Sequence, residues 1–292
     1  MKKQQKKKYK CGVVSILGLP NAGKSTFLNN IIKKKISIIS SKVQTTRDVI
    51  KGILTNEEDQ IIFIDTPGLT VNKSYLNRKM SKSIYNSSVQ SNINLIMFDS
   101  NTEITKTKKN LFLKLIDIKK KNFLVLNKVD LVKKHNLLNI SKELNSIHNF
   151  DETFYISALK KIGFKDLLVH LKRNIPEGLW LYGNKETTDQ KLEFTISEIT
   201  REKIFQLMNQ EIPYSVKIKT KIIEKINIVK IFQTIFVNKK SQKPILLGRN
   251  GNKIKEIGIR ARRDIEKKLC KKIYLDILIS VDDKHHKNYE NH

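Results

Sequence analysis

Cysteine is almost absent from this chain: two occur in 292 residues, Cys11 and Cys270, far apart and without metal-ligand spacing. That excludes a disulfide framework and a thiolate metal site, and it fits a reducing compartment. No apolar run approaches the ~18 residues that span a bilayer. The first ten residues carry six lysines and no apolar segment follows, so they read as a flexible basic tail rather than a secretory signal. Acidic residues are scarce as well: 28 Asp and Glu stand against 57 Lys and Arg, a formal charge of +29. An excess of that size attracts polyanions, nucleic acid first and acidic membrane surface second. Lys, Asn and Ile are abundant throughout, as A/T-rich codons also produce, so charge shares its explanation with coding bias.

What is present begins with Gly18-Leu19-Pro20-Asn21-Ala22-Gly23-Lys24-Ser25. It fits G-x-x-x-x-G-K-[ST], with an apolar run, Val13 to Leu17, before it and a helical run, Thr26 to Ile32, after it. Glycines there let successive N–H groups turn toward a polyphosphate at a helix N-terminus. Lys24 would reach the β and γ phosphates, and the Ser25 hydroxyl would face Mg²⁺. Alternating strand-like and helix-like runs from 11 to about 175 predict an α/β domain with a mostly parallel sheet. Residues 50–54 and 60–64 read as a hairpin pair, and 94–98, 122–126 and 154–156 as further strands. Ligands of such sheets sit at the carboxyl ends of strands, and polar clusters stand there. Asp65-Thr66-Pro67-Gly68 follows Ile64: Asp65 would hold Mg²⁺ through water, and Gly68 would let an N–H approach a γ phosphate. Asn127-Lys128-Val129-Asp130 follows Leu126. The Asp130 carboxylate accepts from two adjacent donors on guanine, a pair adenine lacks. Asn127 would brace the loop and the Lys128 stem would lie over the ring. Ser157-Ala158-Leu159 follows Ile156 and would offer a backbone N–H to the guanine O6.

Ile175-Pro176-Glu177-Gly178 ends the α/β pattern, and 181–191 reads as a linker. Beyond it, 192–208 is apolar at helical spacing until Pro213, 214–220 and 227–237 read as strands, 244–247 and 253–269 as helices, and 272–280 as a closing strand. The order is α-β-β-α-α-β. Gly248-Arg249-Asn250-Gly251 lies between two helices with Lys253 and Lys255 after it. A tight glycine loop lets a nucleic-acid backbone approach, and the basic side chains add a salt-dependent attraction. Glu198, Arg201 and Glu202 read as a solvated helix face with i, i+4 pairing.

With these motifs the chain resembles the translation-factor-like GTPases and, within them, the Era family, over residues 11 to 281. Lys42-Val43-Gln44-Thr45-Thr46-Arg47 matches that family's first switch. The run Ser197 to Lys203, the run Glu211 to Val216 and Lys255 to Arg262 also match. The resemblance implies a GTPase domain at 11–180, a linker at 181–191, a type II KH RNA-binding domain at 192–281, and basic and polar tails at 1–10 and 282–292. It implies that Thr46, with Thr45 as the other choice, senses the γ phosphate and Mg²⁺. Leu69 stands where many GTPases carry a glutamine that positions water, so slow intrinsic hydrolysis is implied. Asn21 would then help hold a K⁺ beside the phosphates. The nucleotide-binding set is Gly18 to Thr26, Asp65 to Leu69, Asn127 to Asp130, Ser157 and Ala158. The RNA-binding set is Gly248, Arg249, Asn250, Gly251, Lys253 and Lys255. The expected function is GTP hydrolysis to GDP coupled to binding of small-subunit rRNA near its 3′ end, in assembly of the small ribosomal subunit. The protein would be a cytoplasmic monomer, with weak peripheral contact to acidic inner membrane through its lysines. The alternative is an RNA-binding KH protein on an inactive GTPase scaffold; intact Lys24, Ser25, Asp65 and Asp130 argue against it. A tRNA-modification GTPase would need a folate-binding region and a reactive cysteine that the chain does not offer.

Overall fold

The computed structural model describes residues 9–39, 46, 48–70, 75–208, 212–226 and 228–281, without the side chains of 75–79 and 215. The chain forms two compact units that meet in sequence between Asp189 and Gln190. Most of the expected basic tail, all of the polar tail, Thr45 and the rest of the 42–47 run apart from Thr46 lie outside the described residues.

The first unit runs β1 (Lys10–Gly18), α1 (Lys24–Ile32), β2 (Ile50–Thr55), β3 (Asp59–Asp65), α2 (Tyr75–Gln90), β4 (Ile93–Asp99), α3 (Lys106–Leu113), β5 (Lys121–Asn127), α4 (Lys134–Ile147), β6 (Glu152–Tyr155) and α5 (Phe164–Asn174). The strand order is β2-β3-β1-β4-β5-β6, and only the β2–β3 hairpin is antiparallel. Parallel strands are covered on both faces, so they read as continuous apolar runs. Ile93, Leu95, Ile96, Met97 and Phe98 of β4 are all buried, as are Phe123 to Leu126 of β5. The helices show one apolar side each. On α5, Leu167 and Leu171 are buried, while Asp166 lies in the first turn and Lys172 and Arg173 in the last, which suits the helix dipole. The chain leaves β1 toward β2 and β3, then returns past β1 to β4. The carboxyl end of β1 is therefore the point where the winding reverses, the place such sheets bind ligands.

Two boundaries move. Tyr9 and Lys10, expected in the tail, are folded: the Lys10 ammonium donates to Lys172 O, Gly178 N–H donates to Tyr9 O, and the Tyr9 ring packs edge-on against Trp180 at 5.2 Å. Residues 181–189, expected as linker, lie along the first sheet. The buried Gln60 side chain acts there as a surrogate peptide. Its Oε1 accepts from Leu181 and Tyr182 N–H at 2.8 and 3.0 Å, and its Nε2 donates to Tyr182 O at 2.8 Å. Ile53 N–H donates to Thr187 O, and Lys51 pairs with Asp189 at 3.1 Å. A polar stretch reads as linker when the amide that receives it lies over 100 positions away.

The second unit runs α6 (Leu192–Leu207), α7 (Ile212–Ser215), β7 (Lys217–Glu224), β8 (Val229–Val237), α8 (Gln242–Leu247), α9 (Asn252–Leu269) and β9 (Ile273–Val281). The sheet order is β7-β8-β9, with β8 and β9 parallel. This is the expected α-β-β-α-α-β order with one addition. Residues 212–215, expected to start a strand at Tyr214, form the single turn α7 instead. Proline's fixed φ suits a helix's first turn, and the Tyr214 ring packs at right angles to Phe205. Glu198, Arg201 and Glu202 are buried rather than solvated. Arg201 grips the Glu198 carboxylate with Nε and Nη2, and Lys203 pairs with Glu202 and Asp264. Paired charges of this kind tolerate burial because each keeps a counter-charge.

Candidate nucleotide site and nucleic-acid loop

The loop Gly18–Ser25 joins β1 to α1 at the winding reversal. Gly23 caps α1 with φ 92°, in the left-handed region, and a Cβ there would strike the Asn127 amide. Only glycine satisfies both conditions. Asn21 also holds a positive φ, 62°. Lys24 is buried, and its Nζ donates to the carbonyls of Gly18 and Leu19 at 3.2 and 2.9 Å. Burial pushes its pKa down to about 8, against the pull of Asp65. Gly68 and Leu69 close over this loop. Leu69 N–H donates to Gly18 O at 3.2 Å, and Thr66 Oγ1 anchors the turn by donating to Ile16 O at 2.8 Å. Pro67 is buried in the same turn. Leu69 places its side chain in the core with Leu17 and Ile84, away from any role with water.

Beside Lys24 lies a cluster of hard oxygens. Ser25 Oγ donates to Asp65 Oδ2 at 2.7 Å and stands 2.9 Å from Thr46 Oγ1. Ser37 Oγ donates to the same Oδ2 at 2.9 Å. Asp65 Oδ1 is buried with no hydrogen-bond partner among the described residues. Burial raises the Asp65 pKa, opposed by Ser25, Lys24 and Ser37. An orphaned carboxylate oxygen among hydroxyls fits a small divalent cation of the Mg²⁺ kind, which takes oxygen ligands and waters. Ser37 was not anticipated. Asn29 on α1 fixes it: Oδ1 accepts from Ile36 and Ser37 N–H at 2.8 and 2.9 Å, and Nδ2 donates to Ser37 O. In sequence Asn29 is one asparagine in an Asn-rich chain, without a distinguishing signal.

At the ends of β5 and β6 sit the residues expected to read the base. Asn127 ties three segments together. Its Nδ2 donates to Ala22 O at 2.7 Å, and its Oδ1 accepts from Ala158 N–H at 2.8 Å. Of the backbone N–H groups of Ser157-Ala158-Leu159, one of them expected on a guanine O6, that of Ala158 is engaged by Asn127. Asn30 on α1 adds a bond to Ala158 O at 2.7 Å. Lys128 adopts φ 65° and pairs with Asp99 at the end of β4, a partner the sequence did not reveal. A single 3₁₀ turn, Val129–Leu131, presents Asp130. The Ser157 hydroxyl, foremost, and the Lys160 ammonium at 3.6 Å hold its carboxyl below the usual range. It stays ionised, the form that the expected acceptor role requires.

In the second unit Gly248–Gly251 connects α8 to α9. Gly248, Asn250 and Gly251 have φ of 72°, 52° and 74°, in the left-handed region. Arg249, Asn250 and Lys255 are exposed and Lys253 is half-buried. Beside them a shallow cleft of about 330 Å³ is lined by Ile254, Lys255, Gly258, Ile259, Arg262 and residues of β9. Sequence reasoning named the loop itself and the basic positions after it; the apolar walls, Ile254 and Ile259, were missed because they read as ordinary helix residues.

The chain is similar to known proteins in both units. Residues 13–128 match the family described as 50S ribosome-binding GTPase, and residues 211–285 match the KH domain family. Among solved structures, Era in complex with MgGDPNP and nucleotides 1506–1542 of 16S ribosomal RNA is 33% identical, over 97% of each chain, with a TM-score of 0.90. A point variant of Aquifex aeolicus Era bound to GDP and AlF4⁻ is also 33% identical, over 96% of this chain and 97% of that one, with a TM-score of 0.89. Identity at that level over the whole length, with the phosphate loop, the oxygen cluster and the glycine loop assembled as described, makes this chain a member of the Era family of GTPases.

Proposed function

We infer that this protein hydrolyses GTP to GDP and phosphate, and that the bound nucleotide governs its hold on small-subunit rRNA near the 3′ end, in assembly of the small ribosomal subunit. One observation carries the reading: a phosphate cradle, an oxygen cluster and an ionised base-reading carboxylate meet at one end of one sheet, in a chain that also carries a KH glycine loop. The relative bound to 16S rRNA supports the choice of RNA.

On this reading Lys24 leaves its two carbonyl partners for the β and γ phosphate oxygens and regains full charge. Backbone N–H groups from Gly18 to Thr26 line the phosphates. Ser25, Thr46 and Asp65 would hold Mg²⁺, which when bound supplies positive charge against the β and γ oxygens. Asp130 accepts from the two guanine donors, Lys128 covers the ring, and Asn127 keeps the phosphate and base loops in register. Thr46 and Gly68 sense the γ phosphate, and their relaxation after hydrolysis changes the grip of Gly248–Gly251, Lys253 and Lys255 on RNA. Because Leu69 is committed to the core, intrinsic hydrolysis is slow, and we assign Asn21 to a K⁺ that adds charge beside the phosphates. Replacing K⁺ by Na⁺ slows hydrolysis in the native protein and has no effect in Asn21→Ala; an unchanged native rate overturns the assignment. The protein works as a cytoplasmic monomer whose lysines give only weak contact with acidic membrane.

Crosslinking to RNA in the GTP and GDP states, followed by sequencing of the crosslinked sites, tests the whole reading. The expected outcome is contact near the 3′ end of small-subunit rRNA that changes with nucleotide and is insensitive to nucleotide in Lys24→Ala. Absence of guanine-nucleotide binding, or identical crosslinks in both states, overturns it.

A further inference from the structure

The sheet of the second unit has two unlike faces. One is covered: Ile218, Ile231, Ile235, Ile273 and Ile279 pack in the core beneath α6, α8 and α9. Residues of the opposite parity point outward, and their register is fixed. Lys217 lies opposite Phe236, Lys221 opposite Phe232, Lys230 opposite Tyr274, and Thr234 opposite Leu278. An open sheet face is ordinarily polar. Here Phe232 is 36% exposed, Tyr274 50% and Leu278 63%. The Phe232 and Tyr274 rings stand edge-on with centroids 6.3 Å apart on adjacent strands. The Lys219 ammonium lies 5.5 Å over the Phe236 ring. Four lysines, Lys217, Lys219, Lys221 and Lys230, share this face with one carboxylate, Asp276. The glycine loop is elsewhere, between the helices that cover the other face.

We propose that the outer face of β7–β8–β9 is a second surface for single-stranded RNA, holding a stretch of strand beyond the one gripped by the glycine loop. Every base has a π face, so exposed rings accept bases without regard to sequence, and flanking ammoniums follow the phosphates. A sheet that displays two or three aromatic rings to solvent can stack as many bases. The lysines alone would also suit an acidic lipid surface. Asp276, level with Phe232 in the middle of the face, argues against insertion into lipid, where its carboxylate would lose water without a partner. Beside unstacked bases it meets amino-group donors instead.

The inference rests on the RNA-binding part of the proposed function, and one experiment separates the two. The full chain is titrated by fluorescence anisotropy with fluorescein-labelled RNA of about 6 nucleotides, enough for a KH cleft that clamps four, and of about 20 nucleotides. The pair Phe232→Ser with Tyr274→Ser removes the rings; Lys219→Glu with Lys221→Glu reverses the charge and keeps them. Each pair is expected to weaken the long RNA by about tenfold or more and to leave the short RNA unchanged. Phe232→Tyr with Tyr274→Phe, which keeps the rings, restores long-RNA binding and controls for folding. An unchanged long-RNA affinity, or equal weakening of both RNAs, overturns the proposal. So does a parallel titration with phosphatidylglycerol vesicles in which the variants lose vesicle binding and keep long-RNA binding. If the unaltered chain binds neither RNA, the RNA-binding reading itself falls.

Discussion

Lys24 and Asp65 are buried a few ångströms from one another's partners, and each is shifted against its charge. The folded-state pKa of Lys24 is about 8, below the 10.5 of a free lysine. The unfolded chain therefore holds more protons between those values, and the nucleotide-free protein gains stability from this residue as pH rises through that window. Below about 8 the ammonium is charged and buried at full cost. A triphosphate supplies the missing counter-charge and lifts the pKa again. GTP binding near pH 8 is thus expected to take up protons, seen as a binding heat that depends on the ionisation heat of the buffer. Lys24→Met should abolish that dependence; a native protein showing no dependence would mean the lysine is already charged. Asp65 has the opposite sense. Its raised pKa means its contribution to stability is lost as pH rises through the folded value, while a divalent cation demands the ionised form. Acidification is expected to weaken Mg²⁺ binding, measured by titration of the metal at fixed nucleotide.

Asn127 illustrates a different kind of residue. Its side chain satisfies Ala22 O and Ala158 N–H at once. Asn127→Ala leaves both unpaired at a cost of about 1–3 kcal/mol. It should lower the thermal midpoint of the first unit and the affinity for GDP together, read by calorimetry. A loss of GDP affinity with an unchanged midpoint would show that it contacts the base alone.

At the scale of elements, the strands were legible and the pins between them were not. Buried parallel strands such as β4 and β5 announce themselves as uninterrupted apolar runs, and the motif residues stand at their ends because that is where the chain turns. α2 is rich in Ser, Asn and Lys, so its helical character rests on tertiary packing that periodicity barely records. The turn at 212–215 follows from Pro213 and a ring contact with Phe205, which a strand-like alternation from Tyr214 obscured. Asn29, Asn30 and Gln60 act through bonds to distant backbone, and a single sequence carries no sign of that. Gln60→Ala removes five hydrogen bonds, with Leu181, Tyr182, Thr55 and Cys11. Residues 181–189 are expected to become open to limited proteolysis while the GDP affinity changes little. Resistance equal to the native protein's would assign the hold on that segment to Ile53 and Lys51 instead.

For the whole molecule, the two units divide the chemistry: one end of the first sheet handles the nucleotide, and the second unit presents a glycine loop on one side and a basic, aromatic face on the other. Where the units divide has its own consequence. Residues 181–189 lie beside β2, one of the sheet's two edge strands, whose far side would otherwise offer unpaired peptide groups to a neighbouring molecule. Bare strand flanks of that kind invite sheet-to-sheet pairing. A first unit ended at residue 180 should therefore self-associate on sizing columns, whereas one ended at residue 189 should stay dispersed. The segment that resembles a mere tether in the sequence is, on this view, the guard against aggregation.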